Sequence, residues 1–307
     1  MFTKTLNFIK KNYLLILAYL IPIILIGFSF TKYYKEYYSL EQYEKYYQAC
    51  QELKDEVSCQ HFNTIKQLNE QYKETDTKTY FFEILNHYID NYIVVLAPLL
   101  VILQTVHFLH KEFSSGFLKN KLTRMSYKQY QKKFFTVSLK SAIILPLIII
   151  AIFILSGLIT KFNFTTPEWV YKTSVYNANN YNNFFLYLLS SCLIVYFMGI
   201  FYSNIALAFL NKSKNSLLVI IFSYLCFFVF VILFDVGGSI LLIRLLKLNP
   251  SISAYLNIFD YWYINGENNY LYFIIISFSL ALLSYVIDRV IYKNKEVTII
   301  EVEKEFV

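Results

Sequence analysis

Residues Ser141 to Ile159 read SAIILPLIIIAIFILSGLI, an uninterrupted run with no charged side chain. Wound as a helix at 1.5 Å per residue it is about 28 Å long, close to the roughly 30 Å hydrocarbon core of a bilayer. Five more stretches have the same character: Tyr13 to Phe30, Tyr92 to Leu109, Phe184 to Leu210, Ser216 to Val236 and Tyr270 to Ile287. Repeated six times, this pattern fixes the class as an all-α membrane protein with six transmembrane helices. Composition agrees. With 57% hydrophobic, 20% aromatic and 16% charged residues and a mean hydropathy of +0.43, a water-soluble domain would have too little polar surface to cover itself. The first apolar run ends in aromatics and charges without a small-residue cleavage pattern, so it reads as a retained helix. Six helices and one sizeable loop use up the 307 residues, leaving no length for a soluble catalytic domain.

Basic residues set the orientation, because Lys and Arg in short loops near helix ends resist translocation. Lys4, Lys10 and Lys11 precede the first span. Lys111, Lys119, Lys121, Arg124, Lys128, Lys132, Lys133 and Lys140 lie between the second and third, against the single acid Glu112. Lys212 and Lys214 follow the fourth span; Arg289, Lys293 and Lys295 follow the sixth. These positions put both termini and the 110–140 loop in the cytoplasm of a multi-pass cell-membrane protein. The net charge of +7 is then a topological signal tied to helix ends, and nucleic-acid binding is not indicated.

Residues 31–91, 160–183 and 237–269 fall outside. In the first of these, Tyr34, Tyr37, Tyr38, Tyr43, Tyr46 and Tyr47 recur at helical steps, and a helical extracellular hairpin with a packing face is expected. The tyrosines nearest the first span equally suit an interfacial belt. Cys50 and Cys59 share this segment. On one straight helix nine residues separate two Cα atoms by roughly 13 Å, beyond the approximately 7 Å that a disulfide spans. A Cys50–Cys59 bridge therefore requires a turn near Asp55 to Ser58, and bridged and free forms both stay open. Cys192 and Cys226 lie in spans and are expected free.

Recognisable catalytic chemistry is scarce. GxxxxGK[ST], HExxH, GxSxG and CxxC patterns do not occur in the sequence, and the chain reads as no enzyme, with no catalytic residue and no metal. His107 and His110 stand near Glu112 at a three-residue step, but they sit where a span emerges into water and polar residues are ordinary. Asn163-Phe164-Thr165 matches a short glycosylation acceptor. Asp235, near the outer end of the fifth span, is the one acid read as touching a span core.

The segment from Lys111 to Tyr130, KEFSSGFLKNKLTRMSYKQY, carries the most information. Leu118, Leu122 and Met125 give a short helix an apolar stripe, with Lys119, Lys121, Arg124 and Lys128 as its basic face. Such a helix suits a partner's groove, and the same residues also suit anionic headgroups at the membrane surface. Residues 1–12, with Phe2, Leu6 and Phe8 or Ile9 among lysines, read as an interfacial elbow helix, followed by a six-helix transmembrane domain over 13–307.

Glu112 at the exit of the second span, Gly116, Leu122, Thr123, Arg124, Ser126 and Lys132 or Lys133 together resemble the corresponding segment in membrane subunits of type-2 ABC exporters. The layout is similar too: a basic amphipathic start, a large first outer loop, a tight fourth-to-fifth connection, and a proline-containing segment, Leu245 to Ser251, like the family's short re-entrant helices before the last span. The resemblance implies an exporter permease that pairs with an identical or related membrane subunit and with separate cytoplasmic ATP-binding subunits. ATP and Mg would act through that partner, with no cofactor in this chain. It implies coupling through Glu112, Gly116, Leu118, Leu122, Arg124 and Met125, with Glu112 paired to a basic residue of its own loop or of the partner. An amphipathic cargo, such as an antimicrobial peptide or a lipid, fits the aromatic outer loop and an antimicrobial peptide resistance role. Two other classes remain: a peptide-sensing or immunity protein that does not transport, and an ion-coupled secondary transporter, which requires acids near mid-membrane.

Overall fold

The computed structural model describes residues 2–38, 76–85, 90–114, 124, 126–165, 182–210, 215–240, 258–262 and 270–291. The described residues are helical and contain no strand. Helix α1 is Phe2–Tyr38, α2 Thr77–Glu83, α3 Asp90–Ser114, α4 Tyr127–Ala142, α5 Ile144–Ile159, α6 Phe184–Phe209, α7 Ser216–Ile232 and α8 Tyr270–Ile291. Six segments are long and apolar enough to cross a membrane: Asn12–Tyr33, Tyr92–His110, Gln129–Ile159, Phe184–Phe209, Ser216–Gly237 and Tyr270–Ile291. The six-span fold is thus present; the start of the third span and the end of the sixth move by four residues or more, and the other boundaries by three or fewer.

The third span starts well before Ser141. Helix α4 opens at Tyr127 because Ser126 caps it: the Ser126 hydroxyl accepts from the Gln129 N–H at 3.3 Å, and the Gln129 side chain accepts from the Ser126 N–H at 3.1 Å. That reciprocal arrangement satisfies two of the donors a helix start leaves open. The helix continues to Ala142 and breaks at Ile143, where Pro146 has no N–H to offer the Ala142 carbonyl. Helix α5 resumes beyond the break. Residues 110–114 and 127–140 of the 110–140 loop are therefore helical, and residues 115–126 join them in sequence. The last span also runs on, to Ile291 rather than Ile287, which brings Asp288 inside it. Helix α1 changes direction at Asn12, whose φ of −119° and ψ of 16° are not helical.

Helix α6 is the hub. It packs along α8 most extensively and also against α3, α4, α5 and α7. Lipid tails are as apolar as leucine, so inside a bilayer such contacts depend on close packing and interhelical hydrogen bonds rather than on the hydrophobic effect. Close packing occurs at Gly199, where an added Cβ would stand 2.9 Å from the Ala142 Cα. Burial is uneven: 67% of the second span and 56% of the fourth are covered by protein, against 28% of the first, fifth and sixth. Most residues of those three spans are left uncovered by the rest of the chain, as suits contact with lipid.

Helix α2 belongs to the segment read as an extracellular hairpin, yet it is buried. Asp76 caps it, accepting from the Thr79 N–H at 3.1 Å, and Phe81 and Phe82 are fully covered. Their rings meet Phe184 and Tyr187 edge-on at centroid distances of 5.0–5.7 Å. Thr77 binds the turn after α5 through its N–H to the Asn163 carbonyl at 2.7 Å and its hydroxyl to Thr160 at 2.7 Å. Lys161 and Phe162 make that turn with positive φ, and the Phe162 ring lies so close to Gly157 that no Cβ would fit there. Residues 39–75 and 86–89 of the 31–91 segment, including Tyr43, Tyr46, Tyr47, Cys50 and Cys59, lie outside the described residues, as does the segment Leu245 to Ser251. Cys192 and Cys226 are free thiols. Asp235 is half-buried in a single π turn, Leu233–Gly237, that ends the fifth span.

Candidate functional site

Polar chemistry gathers at the end of the bundle where α3 finishes, α4 begins and α6 and α8 finish. Helix α3 delivers Glu112 there, and the cap at Ser126 fixes the phase of α4 so that Tyr130 and Lys133, three residues apart, share the face that meets it. The Lys133 ammonium donates to Glu112 Oε1 in an ion pair, and the Tyr130 hydroxyl donates to Glu112 Oε2 at 3.2 Å. Tyr130 is fully buried, while the Glu112 and Lys133 side chains are 15% and 32% exposed. Both carboxylate oxygens are thereby engaged, and the two ends of the 115–126 connection are held together at its base.

A second polar line runs deeper. The Ser138 hydroxyl of α4 donates to Asn204 Oδ1 of α6 at 2.8 Å, and Asn204 Nδ2 donates to the Ser284 hydroxyl of α8 at 2.9 Å. Beside it Thr105 of α3 and Ser203 of α6 share a hydrogen bond at 2.7 Å. Asn204 is 2% exposed. One side chain on the hub thus joins three helices by hydrogen bonds with no water required. Ser277, Ala281, Ser284 and Asp288 of α8 are all buried and recur at four- and three-residue steps, a small-residue stripe that lets α8 approach α6 closely.

The stripe ends at Asp288. Gln131, Phe134 and Phe135 of α4, Asn204 and Leu207 of α6, and Tyr285, Asp288 and Arg289 of α8 line a cavity of about 20 Å³, enough for one water-sized group. Asp288 is 7% exposed, and its Oδ2 has no hydrogen-bond partner among the described residues. The neighbouring Arg289 is turned to Tyr285 instead: its Nε donates to the Tyr285 hydroxyl at 2.8 Å, and its guanidinium carbon lies 5.1 Å from that ring's centroid. Asp288 is thus a buried acid within the sixth span, three residues from its end at Ile291, in addition to Asp235, which lies within the fifth. Asp288 lies one residue beyond Ile287, where the apolar run ends in the sequence, and the helix continues past it to Ile291.

Of the residues proposed for coupling, Glu112 is in the clamp just described and Arg124 is exposed in a turn before α4. Gly116, Leu118, Leu122 and Met125 lie outside the described residues. His107 and His110 stand one turn apart on α3, and among the described residues no group of three or more His, Cys, Asp or Glu is placed to hold a metal. Asn163 Oδ1 accepts from the Thr165 N–H at 3.1 Å, so the glycosylation-like triplet forms a local turn. Sequence reasoning did not find Tyr130, Ser138, Asn204, Ser284 or Asp288. Only the Ser126–Gln129 spacing gave a signal for any of them, by setting the start of α4. No protein-family model, curated protein or solved structure matches the chain.

Proposed function

We propose that this chain is the membrane subunit of an ATP-driven exporter, coupled through its 115–126 connection to separate cytoplasmic ATP-binding subunits. The observation that carries the reading is the clamp of Glu112 by Tyr130 and Lys133. A loop meant to convert the closure of a partner into movement of the membrane helices must be tied to those helices, and this one is tied at both ends. The basic residues from Lys111 to Lys133 support a cytoplasmic position for that end of the bundle, and the outward faces of the first, fifth and sixth spans leave room for a second membrane subunit. The chain hydrolyses nothing itself; ATP and Mg act in the partner. Two conformations of the bundle, biased by the partner's nucleotide state, would carry an amphipathic cargo such as a membrane-active peptide or lipid outward. The test is to purify the tagged full chain from its native membrane and identify what stays bound. A stoichiometric phosphate-loop ATPase is expected, and its loss in Glu112→Ala and Arg124→Glu at unchanged membrane levels. Retention of no ATPase by the unaltered chain overturns the reading.

The buried Asp288 favours a second reading, an ion-coupled transporter. On that reading, transport in vesicles depleted of ATP continues under an imposed ion gradient and stops in Asp288→Asn.

A further inference from the structure

We propose that the cavity between α4, α6 and α8 is a binding site for the ammonium end of a small amphipathic cation, with Asp288 as its counter-charge. Three observations meet here. The first is the carboxylate: Asp288 is more than nine-tenths buried, lines the cavity, and leaves Oδ2 without a partner among the described residues. Buried polar atoms are almost always hydrogen-bonded, and an orphan carboxyl oxygen calls for a partner that no described residue supplies. The second is size. A cavity of about 20 Å³ takes one water-sized group, and a primary ammonium is that size.

The third observation is the lining. Phe134, Phe135, Leu207 and Tyr285 surround the cavity, and the Phe135 and Tyr285 rings lie 5.1 Å apart. Phe135 is 41% exposed, so the mouth opens past an aromatic rim. An ammonium seated at Asp288 would have aromatic faces beside it and could lay an alkyl body along that rim. A bare metal ion is the poorer fit: Asn204 Oδ1 already accepts from Ser138 and its amide is committed to Ser284, which leaves too few oxygens to replace a hydration shell.

Arg289 is the one other charge among the described residues of the lining. Its hydrogen bond to Tyr285 and its position over that ring hold the guanidinium away from the carboxylate, and as a like charge it opposes an entering cation. That opposition makes the proposal testable in two directions. The site does not depend on an ATPase partner, so it can fail while the exporter reading stands, and the reverse.

The experiment titrates the purified full chain in lipid nanodiscs with hexylammonium chloride at constant ionic strength, following thermal unfolding and the apparent Kd. In parallel, 1-hexanol serves as the neutral body and sodium chloride as the bare cation. Hexylammonium should stabilise saturably, and neither control should. Asp288→Asn, of the same size and without the charge, should weaken binding by about tenfold or more, as loss of a hydrogen bond to a charged group does, while the protein still folds. Arg289→Gln should tighten it. An equal effect of hexanol, a saturable effect of sodium alone, or unchanged affinity in Asp288→Asn would each overturn the assignment, and so would weaker binding in Arg289→Gln.

Discussion

Replacing Asn204 with alanine tests the polar line that holds the site together. The substitution removes two well-formed interhelical hydrogen bonds, from Ser138 at 2.8 Å and to Ser284 at 2.9 Å. A third contact, to the Ala281 carbonyl, is 3.5 Å long and contributes little. Interhelical hydrogen bonds in membranes average about 0.6 kcal/mol and reach about 1.7 kcal/mol. Two of them therefore bracket the loss between about 1.2 and 3.4 kcal/mol. The lower half of that range is expected, because the orphaned hydroxyls have other acceptors. Ser284 already donates to the Ala281 carbonyl at 2.9 Å, and Ser138 can turn to a carbonyl of its own helix. Reversible unfolding of the purified chain in mixed micelles, followed by circular dichroism, gives the free energy directly. Adding Ser138→Ala to Asn204→Ala should cost less than the sum of the two single changes, since one bond is counted in both. A loss under about 0.3 kcal/mol in Asn204→Ala, or strict additivity in the double variant, would refute the claim that this network joins α4, α6 and α8.

Three further outcomes follow from particular contacts. Gly199→Val sets a branched side chain against the α4 backbone at Ala142, where a single Cβ is already 2.9 Å away; overpacking of this kind should cost about 1–3 kcal/mol, read as a lower unfolding midpoint in the same assay. Lys133→Met breaks the ion pair with Glu112 but leaves Tyr130 in place; with a third of the Lys133 side chain in water, stability should fall by about 1 kcal/mol or less, while coupled transport, if the clamp transmits movement, should fall far more. A cysteine at the exposed Ser126 should react with a membrane-impermeant maleimide only after the cells are opened, and labelling in intact cells would reverse the orientation inferred from the lysines.

The spans were legible because an apolar run long enough for a bilayer permits few other structures, and SAIILPLIIIAIFILSGLI needs no partner to be read. The ends were harder. Residues 127–140 hold Lys128, Lys132, Lys133 and Lys140, so hydropathy stops at Ser141, although the helix is set earlier by a cap that the spacing of Ser126 and Gln129 does spell out. Asp288 fell one residue beyond the apolar run for the same reason: hydropathy marks where lipid contact ends, and hydrogen bonding marks where the helix ends. The clamp was half legible. A basic residue facing Glu112, from its own loop or from a partner protein, is what the sequence suggests, and the choice of Lys133 depends on the phase of α4. The Ser138–Asn204–Ser284 line was not legible, since its members are 66 and 80 residues apart and a single serine or asparagine in a span looks like any other. Burial of α2 was hidden too, because Phe81 and Phe82 acquire their partners only when α6 brings Phe184 and Tyr187 to them.

The central claim, that movement of a partner ATPase reaches the membrane helices through the 115–126 connection, is tested most directly by cross-linking. A photoreactive amino acid placed at Arg124 in the tagged full chain, activated in native membranes, should yield one major adduct, to a protein with a phosphate-loop ATPase motif. The yield should change when ATP and vanadate trap the nucleotide-closed state. Adducts to lipid alone, or an ATPase adduct indifferent to nucleotide, would leave the connection as a membrane-surface anchor and contradict the account.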